Sequence, residues 1–150
     1  MDIIATKLTF SFSVHATEDI EKNMEALSNL TKGINQEQAT ISESVLEGGY
    51  GNPITFIEAS FTKTNSIEKL LSYLSTKLTE KDKEHLGLEF ENRFDSKKNN
   101  FFLRFDKNAI YDDKLILTDS ANVIKLTIRL RSFTKQAIFK DFLMEKGIIK

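Results

Sequence analysis

The stretch Gly48-Gly-Tyr-Gly-Asn-Pro53 decides the fold, because it holds three of the six glycines and the only proline of the chain. Glycine takes positive φ at little cost, whereas Pro53 fixes its own φ and biases Asn52 toward extended geometry. The stretch therefore predicts a tight, specified turn. Strands are predicted on either side, at residues 39–46 and 54–61, and a connection of this length favours an antiparallel pair.

Period-two alternation predicts three further strands, at residues 3–15, 101–106 and 123–131. In each of them apolar side chains occupy one side of the strand and polar side chains the other. The alternation is strictest in the last strand, whose polar side carries Lys125 and Arg129. Each strand is therefore expected to bury one face and to leave the other in water or against a partner.

Apolar stripes at helical spacing predict four helices. The expected N-cap residues of the first three are Thr17, Asn65 or Ser66, and Thr79. The third stripe runs to Phe94. The fourth helix is expected over residues 135–146, and its apolar face is predicted to include Ile138 and Phe139.

The resulting order, β-α-β-β-α-α-β-β-α, predicts an α+β fold. Strands with one apolar and one polar face favour a two-layer sandwich, in which helices cover one face of a single sheet. We expect one mixed or antiparallel sheet of about five strands, and residues 1–150 are expected to form a single domain.

The composition restricts the classes of function. The chain has no cysteine, which excludes disulfides, thiolate zinc sites and cysteine nucleophiles. It contains no apolar run of the ~20 residues that a membrane span requires, so no membrane partner and a cytoplasmic location are expected. A net charge of −1 argues against indiscriminate coating of nucleic acid.

The basic side chains are unevenly distributed along the chain. Residues 1–98 carry 11 basic and 16 acidic side chains, whereas residues 99–150 carry 10 and 6. Alternation places basic residues on the polar side of three strands: Lys7, Arg104, Lys125, Arg129 and Arg131. If these strands are neighbours, the residues form a basic patch for RNA phosphates, with Phe102 as the aromatic side chain there. A solvated face that keeps the protein soluble is the alternative.

Two other features allow more than one interpretation. His15 lies beside Glu18 and Asp19, where it can serve acid–base chemistry or simply continue the polar strand face before a helix. The glycine turn lacks the spacing of the common phosphate loops. Its exposed amides could still bind an anion and Tyr50 could stack on a base, or Tyr50 could pack over the sheet edge. The spacing of the two histidines predicts no metal site.

Three phrases in this order, His15-Ala-Thr-Glu-Asp19, Gly48-Gly-Tyr-Gly-Asn-Pro-Ile54 and Leu103-Arg-Phe-Asp-Lys-Asn-Ala-Ile-Tyr111, resemble an archaeal family described as RNA-binding proteins or predicted exosome subunits. The resemblance implies RNA binding, a link to RNA processing and no catalytic site. It also implies a fold similar to that of the large-subunit ribosomal protein that binds 5S rRNA. The family's marked residues correspond to His15, Thr17, Glu18, Gly48, Tyr50, Gly51, Asn52, Pro53, Arg104, Asp106, Lys107 and Tyr111.

The leading hypothesis is a non-enzymatic RNA-binding module without a cofactor. Its predicted RNA-binding residues are Tyr50, Asn52, Arg104, Lys107, Lys125, Arg129 and Arg131. A second hypothesis is a protein-interaction subunit that forms a homodimer or docks on an RNA-processing assembly without touching RNA itself. A third is a small-molecule enzyme, which would need a pocket that gathers His15, Glu18, Tyr50 and Arg104.

Overall fold

The computed structural model describes residues 4–32, 34, 38–47 and 51–150. The strands are β1 (Ala5–His15), β2 (Thr40–Glu47), β3 (Pro53–Phe61), β4 (Phe94–Asp95), β5 (Asn100–Asp106) and β6 (Val123–Leu130). The helices are α1 (Ile20–Leu30), α2 (Thr64–Lys77), α3 (Glu80–Leu88), α4 (Lys107–Tyr111) and α5 (Gln136–Glu145), with a 3-10 turn at Phe90–Arg93. Within the described residues, no helix has the length and apolar character needed to cross a membrane.

The six strands form one sheet in the order β2-β3-β1-β6-β5-β4, and every neighbouring pair is antiparallel. The predicted α+β fold is confirmed, and the sheet is antiparallel rather than mixed. Strands β2 and β3 pair on either side of the glycine turn, as predicted. Pro53 begins β3 opposite Glu47, a strand position at which proline is tolerated. Positions 48–50 of the turn lie outside the described residues.

One apolar cluster joins the inner face of the sheet to the helices. In α5, Phe139 and Phe142 are fully buried, and the Phe139 ring meets the Phe90 ring edge to face. Two predictions about this core were wrong. Ile138 is 49% exposed, because it lies on the outer side of α5. Phe94 belongs to β4 rather than to a helix, since its backbone pairs with Phe101.

The helix N-termini agree only in part with the predicted caps. Thr79 and Asp82 form the expected reciprocal capping box at the start of α3. The cap of α1 is Asp19 rather than Thr17, because the Asp19 carboxylate accepts from the Glu21 N–H at 2.9 Å. Helix α2 begins at Thr64 without a side-chain cap bond, and Ser66 is buried inside it.

Strand β2 lies at one edge of the sheet, beyond the cover of the helices. All eight of its residues are exposed, including Val45 at 69%. The apolar side chains of β2 therefore lack the burial that we expected for one face of each strand. Toward the other edge, the strand order places β1, β6 and β5 side by side, which fixes the geometry of the polar sheet face.

Candidate nucleic-acid interface

The polar face of β1, β6 and β5 brings together four of the five basic residues that alternation placed there. Lys7 on β1 lies opposite Arg129 on β6, and Lys125 on β6 lies opposite Arg104 on β5. Directly opposite residues on one face of an antiparallel pair have Cβ atoms about 4.5–5.5 Å apart. The two pairs therefore concentrate four cations on three adjacent strands.

The two cross-strand pairs consist of like charges, which destabilise a sheet when they are directly opposed. Among the described residues, no ion pair within 4.0 Å engages any of these four cations. Burial lowers the pKa of Lys125, and the nearby positive charge of Arg104 lowers it further. An anion bound between the strands would oppose this lowering of the pKa, because a nearby negative charge favours the charged form of the ammonium.

An aromatic ring lies within this cationic face. The Lys125 ammonium is 4.2 Å from the centre of the Phe102 ring, a favourable cation–π distance. Phe102 is only half-buried and lies on the polar side of β5, opposite Thr127. The ring thus holds the Lys125 side chain in place and leaves part of its own surface accessible.

A groove of about 340 Å³ runs over this face. Its lining includes Lys7, Lys98, Lys125 and Arg129, together with the acidic residues Glu58 and Asp95. Sequence reasoning missed Lys98, because the Lys97-Lys98 dipeptide lies in a turn outside every predicted strand. The pairing of β4 with β5 brings this turn to the groove, so the only local signal was the dipeptide itself.

Lys107 has a different environment from the one predicted for a phosphate contact. It is only 4% exposed, and its ammonium donates to the Ser13 carbonyl at 2.8 Å and lies 3.3 Å from Glu18 Oε2. Glu18 Oε1 accepts from the His15 N–H at 3.1 Å. The Asp106 carboxylate, next to Lys107 in the chain, caps α4 by accepting from the Ala109 N–H. We call the side chains of Glu18, Lys107 and Asp106 together the latch.

The pKa values near the latch follow from its contacts. Burial raises the pKa of Glu18, but the His15 N–H and the Lys107 ammonium outweigh burial and hold it below its ordinary value. Burial raises the pKa of Tyr111, and the negative charges of Glu25, Asp19 and Glu18 raise it further. The Tyr111 hydroxyl is buried and forms no hydrogen bond with the described residues. The latch and Tyr111 therefore connect β1 and α1 to α4.

The remaining predicted site residues do not form one pocket. His15 is exposed at the end of β1 and lines a groove of about 410 Å³ with Lys107 and Lys125, whereas Glu18 lines another groove with Asp19 and Tyr111. Exposed positions include Thr17, Gly51, Asn52, Pro53 and Arg131, the last of which follows the end of β6. Gly48 and Tyr50 lie outside the described residues. No group of three or more potential metal ligands occurs among the residues that are described.

The fold and the polar face define an α+β domain with an uncovered, cation-bearing antiparallel sheet. The family model described as RNA binding matches residues 7–130 of the chain. The match spans β1 to the end of β6 and therefore includes the whole cationic face. The chain belongs to this RNA-binding family.

Individual relatives agree with this assignment. The chain is similar to the RNA-binding protein PAB1135 of Pyrococcus abyssi, with 32% identity over 85% of this chain and 84% of the relative. It is also similar to the uncharacterized protein MJ0213 of Methanocaldococcus jannaschii, with 25% identity over 85% of each chain.

The crystal structure of protein AF2318 from Archaeglobus fulgidus, described as family DUF54, matches with a TM-score of 0.80 and 30% identity. The match covers 95% of this chain and 99% of that one. The DUF54 protein Mth689 from Methanothermobacter thermautotrophicus matches with a TM-score of 0.75 and 23% identity, over 97% and 99% of the two chains, which shows the shared fold.

Proposed function

We propose that this protein is a non-enzymatic RNA-binding module that contacts RNA phosphates through the polar face of β1, β6 and β5. The main support is that two pairs of like charges lie directly opposite each other on this face, Lys7 with Arg129 and Lys125 with Arg104. A face that served only solubility would gain by alternating its charges, since opposed cations destabilise the sheet. Phosphate groups would turn this unfavourable arrangement into a favourable one.

The proposed roles of the predicted site residues differ according to their burial. Arg104, Lys125 and Arg129 contact phosphates, and Lys7 joins them. Asn52 and Tyr50 are additional RNA contacts that the family resemblance supports. Arg131 is a further contact that the alternation of the last predicted strand supports. Lys107 is buried against Glu18, so we assign it to holding the framework of the site rather than to phosphate contact.

Nitrocellulose filter binding with structured and single-stranded RNA tests the proposal. Arg104→Ala and Arg129→Ala should each weaken binding and reduce the slope of log K against log salt by about 0.7–0.9 per lost phosphate contact. Lys69→Ala is the matched control, because Lys69 is an exposed cation of α2. If the two arginine variants bind as tightly as the control, the proposed face is wrong.

We also propose a cellular role for the chain, based on the family resemblance and on its relatives. The chain acts as a single domain in the cytoplasm, with a fold related to that of the 5S-rRNA-binding ribosomal protein, and serves archaeal RNA processing alongside the exosome. PAB1135 is itself named an RNA-binding protein, which supports the RNA part of this proposal. Co-purification of a tagged chain from an archaeal lysate, with and without ribonuclease, tests the association with exosome subunits.

A second candidate function is self-association through β2. This edge strand pairs with β3 on one side, and Ile41, Val45 and Leu46 expose apolar side chains at 46%, 69% and 57%. Unpaired strand edges of this kind can add a strand from another chain. The proposed occupant is the β2 strand of a second copy. Sedimentation of the wild type and of Val45→Lys tests it, because a dimer of this kind should dissociate in the variant.

A further inference from the structure

Phe133 occupies an unfavourable position in the turn between β6 and α5. Its backbone has φ of 63°, a left-handed conformation that bulky residues rarely adopt. Its side chain is 100% exposed, so no burial compensates for this conformation. Glycine or asparagine would suit the backbone better. Packing within this chain therefore gives no reason for a phenyl ring at position 133.

The turn that carries Phe133 is firmly held. Both the backbone N–H and the hydroxyl of Thr134 donate to the Arg131 carbonyl, at 3.3 and 2.6 Å. The Arg131 N–H donates to the Ile4 carbonyl at 2.8 Å, which ties the turn to the chain next to β1. The ring is thus displayed from an ordered support, and a ligand that used it would pay little to order the backbone.

The surroundings of the ring are cationic. Phe133 lines a groove of about 840 Å³ together with Lys97, Lys98, Arg129 and Lys135, and the described lining residues include no carboxylate. The Asp95 carboxylate, the nearest acid in sequence to the two lysines of the turn, accepts from the backbone N–H groups of Lys97 and Lys98. An exposed aromatic ring among several cations matches the chemistry of a nucleotide, which offers a flat base and a phosphate.

This groove continues into the polar face of the sheet. Lys98 and Arg129 line both the 840 Å³ groove and the 340 Å³ groove over β1, β6 and β5. An RNA strand with phosphates on the open face can therefore extend past these two residues and reach Phe133. The ring lies at the end of the proposed path.

We propose that Phe133 stacks on an unpaired base of single-stranded RNA, whose neighbouring phosphates lie along Lys97, Lys98 and Lys135. This inference rests on the proposed function and names the substrate class, because only an unstacked base presents its face to a side chain. Duplex RNA can place phosphates beside the lysines, but its stacked bases offer no free face to the Phe133 ring. An acidic peptide is the competing occupant, and the surrounding cations alone would attract it as well.

Fluorescence anisotropy with a labelled uridine 10-mer tests the proposal. Phe133→Asn removes the ring and relieves the left-handed backbone, so the fold should be retained while affinity for the 10-mer falls about 5- to 150-fold, the range of one base–aromatic stack. Leu88→Asn is the matched control, since Leu88 is 88% exposed on α3, and this variant should bind like the wild type. Affinity for a perfect RNA duplex should change little in either variant.

A spectroscopic readout separates stacking from a structural role. The chain has no tryptophan, so Phe133→Trp supplies a single indole whose emission a stacked base should quench. Quenching should saturate with the 10-mer and should be absent with a poly-glutamate peptide. A ring that merely supported the turn would show no such difference.

The outcomes distinguish this inference from the proposed function. If the wild type binds the 10-mer and Phe133→Asn binds it equally well, stacking at Phe133 is wrong and RNA binding by the sheet face stands. If Phe133→Asn loses affinity only for poly-glutamate, the groove is a peptide site and the inference is wrong. If the wild type binds neither RNA, both proposals fall together.

Discussion

The Lys107 ammonium lies 3.3 Å from Glu18 Oε2, and this pair joins the start of α4 to the turn that precedes α1. The two residues are 89 positions apart in the chain. Lys107 is 4% exposed, and a buried cation is tolerated only when it is paired and hydrogen-bonded. Two of the three phrases that carry the family resemblance therefore meet in one structural contact, which gives Glu18 and Lys107 a structural role.

Glu18→Gln should lower the free energy of unfolding by about 1.5–3 kcal/mol at pH 7, because it removes the counter-charge of Lys107. The fold holds the pKa of Glu18 below its ordinary value. A carboxylate with a lowered pKa stabilises the fold above the pKa of the unfolded chain, about 4.3, and this stabilisation is lost as pH falls through the folded value. The gap between variant and wild type should therefore shrink below about pH 4.

Urea denaturation at several pH values measures this gap. Glu21→Gln is the control, because Glu21 is an exposed acid in the first turn of α1. The control should lie within about 0.5 kcal/mol of the wild type, as most exposed substitutions do. A gap for Glu18→Gln that stayed constant down to pH 3 would contradict the assigned role of the ion pair.

Gly51 and Gly147 both have φ of 75° but differ in their surroundings. A Cβ at Gly51 would meet no atom of the described residues within 4 Å, whereas one at Gly147 would collide with the Ser75 hydroxyl. Gly51→Ala should cost about 1–2 kcal/mol from backbone strain alone. Gly147→Ala should lower the free energy of unfolding by about 1–3 kcal/mol more than Gly51→Ala does, because its added Cβ is overpacked against Ser75. Thermal or urea unfolding of the two variants gives the difference, and equal losses would contradict the collision.

Most of the fold could be predicted from the sequence, because the patterns that indicate strands, helices and turns are local. Period-two alternation placed Arg104 and Lys125 on the polar side of their strands without any knowledge of neighbours. The proximity of these strands depends on the order of the sheet, and the pairing of β1 with β6 links residues more than a hundred positions apart. A pattern read along the chain cannot supply that order.

The errors share the same cause. Thr17 and Asp19 are both good N-cap residues. Tertiary contacts decide between them, since Glu18, which lies between them, binds Lys107 from a distant part of the chain. Phe94 fits a helical stripe, yet pairing with Phe101 converts it to a strand residue. In each case a partner outside the local sequence pattern overrides the local preference.

Phe139→Ala should destabilise the fold by about 3–5 kcal/mol, the usual cost of truncating a fully buried phenylalanine. Its ring lies 5.8, 5.2 and 6.0 Å from those of Phe90, Phe94 and Phe101. The neighbouring Ile138→Ala is the control and should cost less than about 1 kcal/mol, since Ile138 is 49% exposed. Similar losses in both variants, measured by urea unfolding, would mean that α5 is rotated from the orientation described above.

Lys125→Met should stabilise the fold while it weakens RNA binding. Methionine replaces the cation–π contact with Phe102 by a sulfur–aromatic contact of similar strength and removes the charge opposed to Arg104, which should raise the free energy of unfolding by about 0.2–1 kcal/mol. Burial and Arg104 lower the pKa of Lys125 in the fold, so the unfolded chain binds more protons and the wild type gains stability as pH rises through that pKa. The advantage of the variant should therefore diminish on the alkaline side, below the ordinary lysine pKa.

Urea unfolding between neutral and alkaline pH, together with filter binding, checks both halves of this prediction. Lys69→Met on the exposed side of α2 is the control, and it should change neither stability nor RNA affinity appreciably. If Lys125→Met destabilised the fold, the opposed charges would not be costly and the reason for expecting an anion there would disappear. Higher stability with lower RNA affinity would instead mean that the sheet keeps a charge that only a bound phosphate makes favourable.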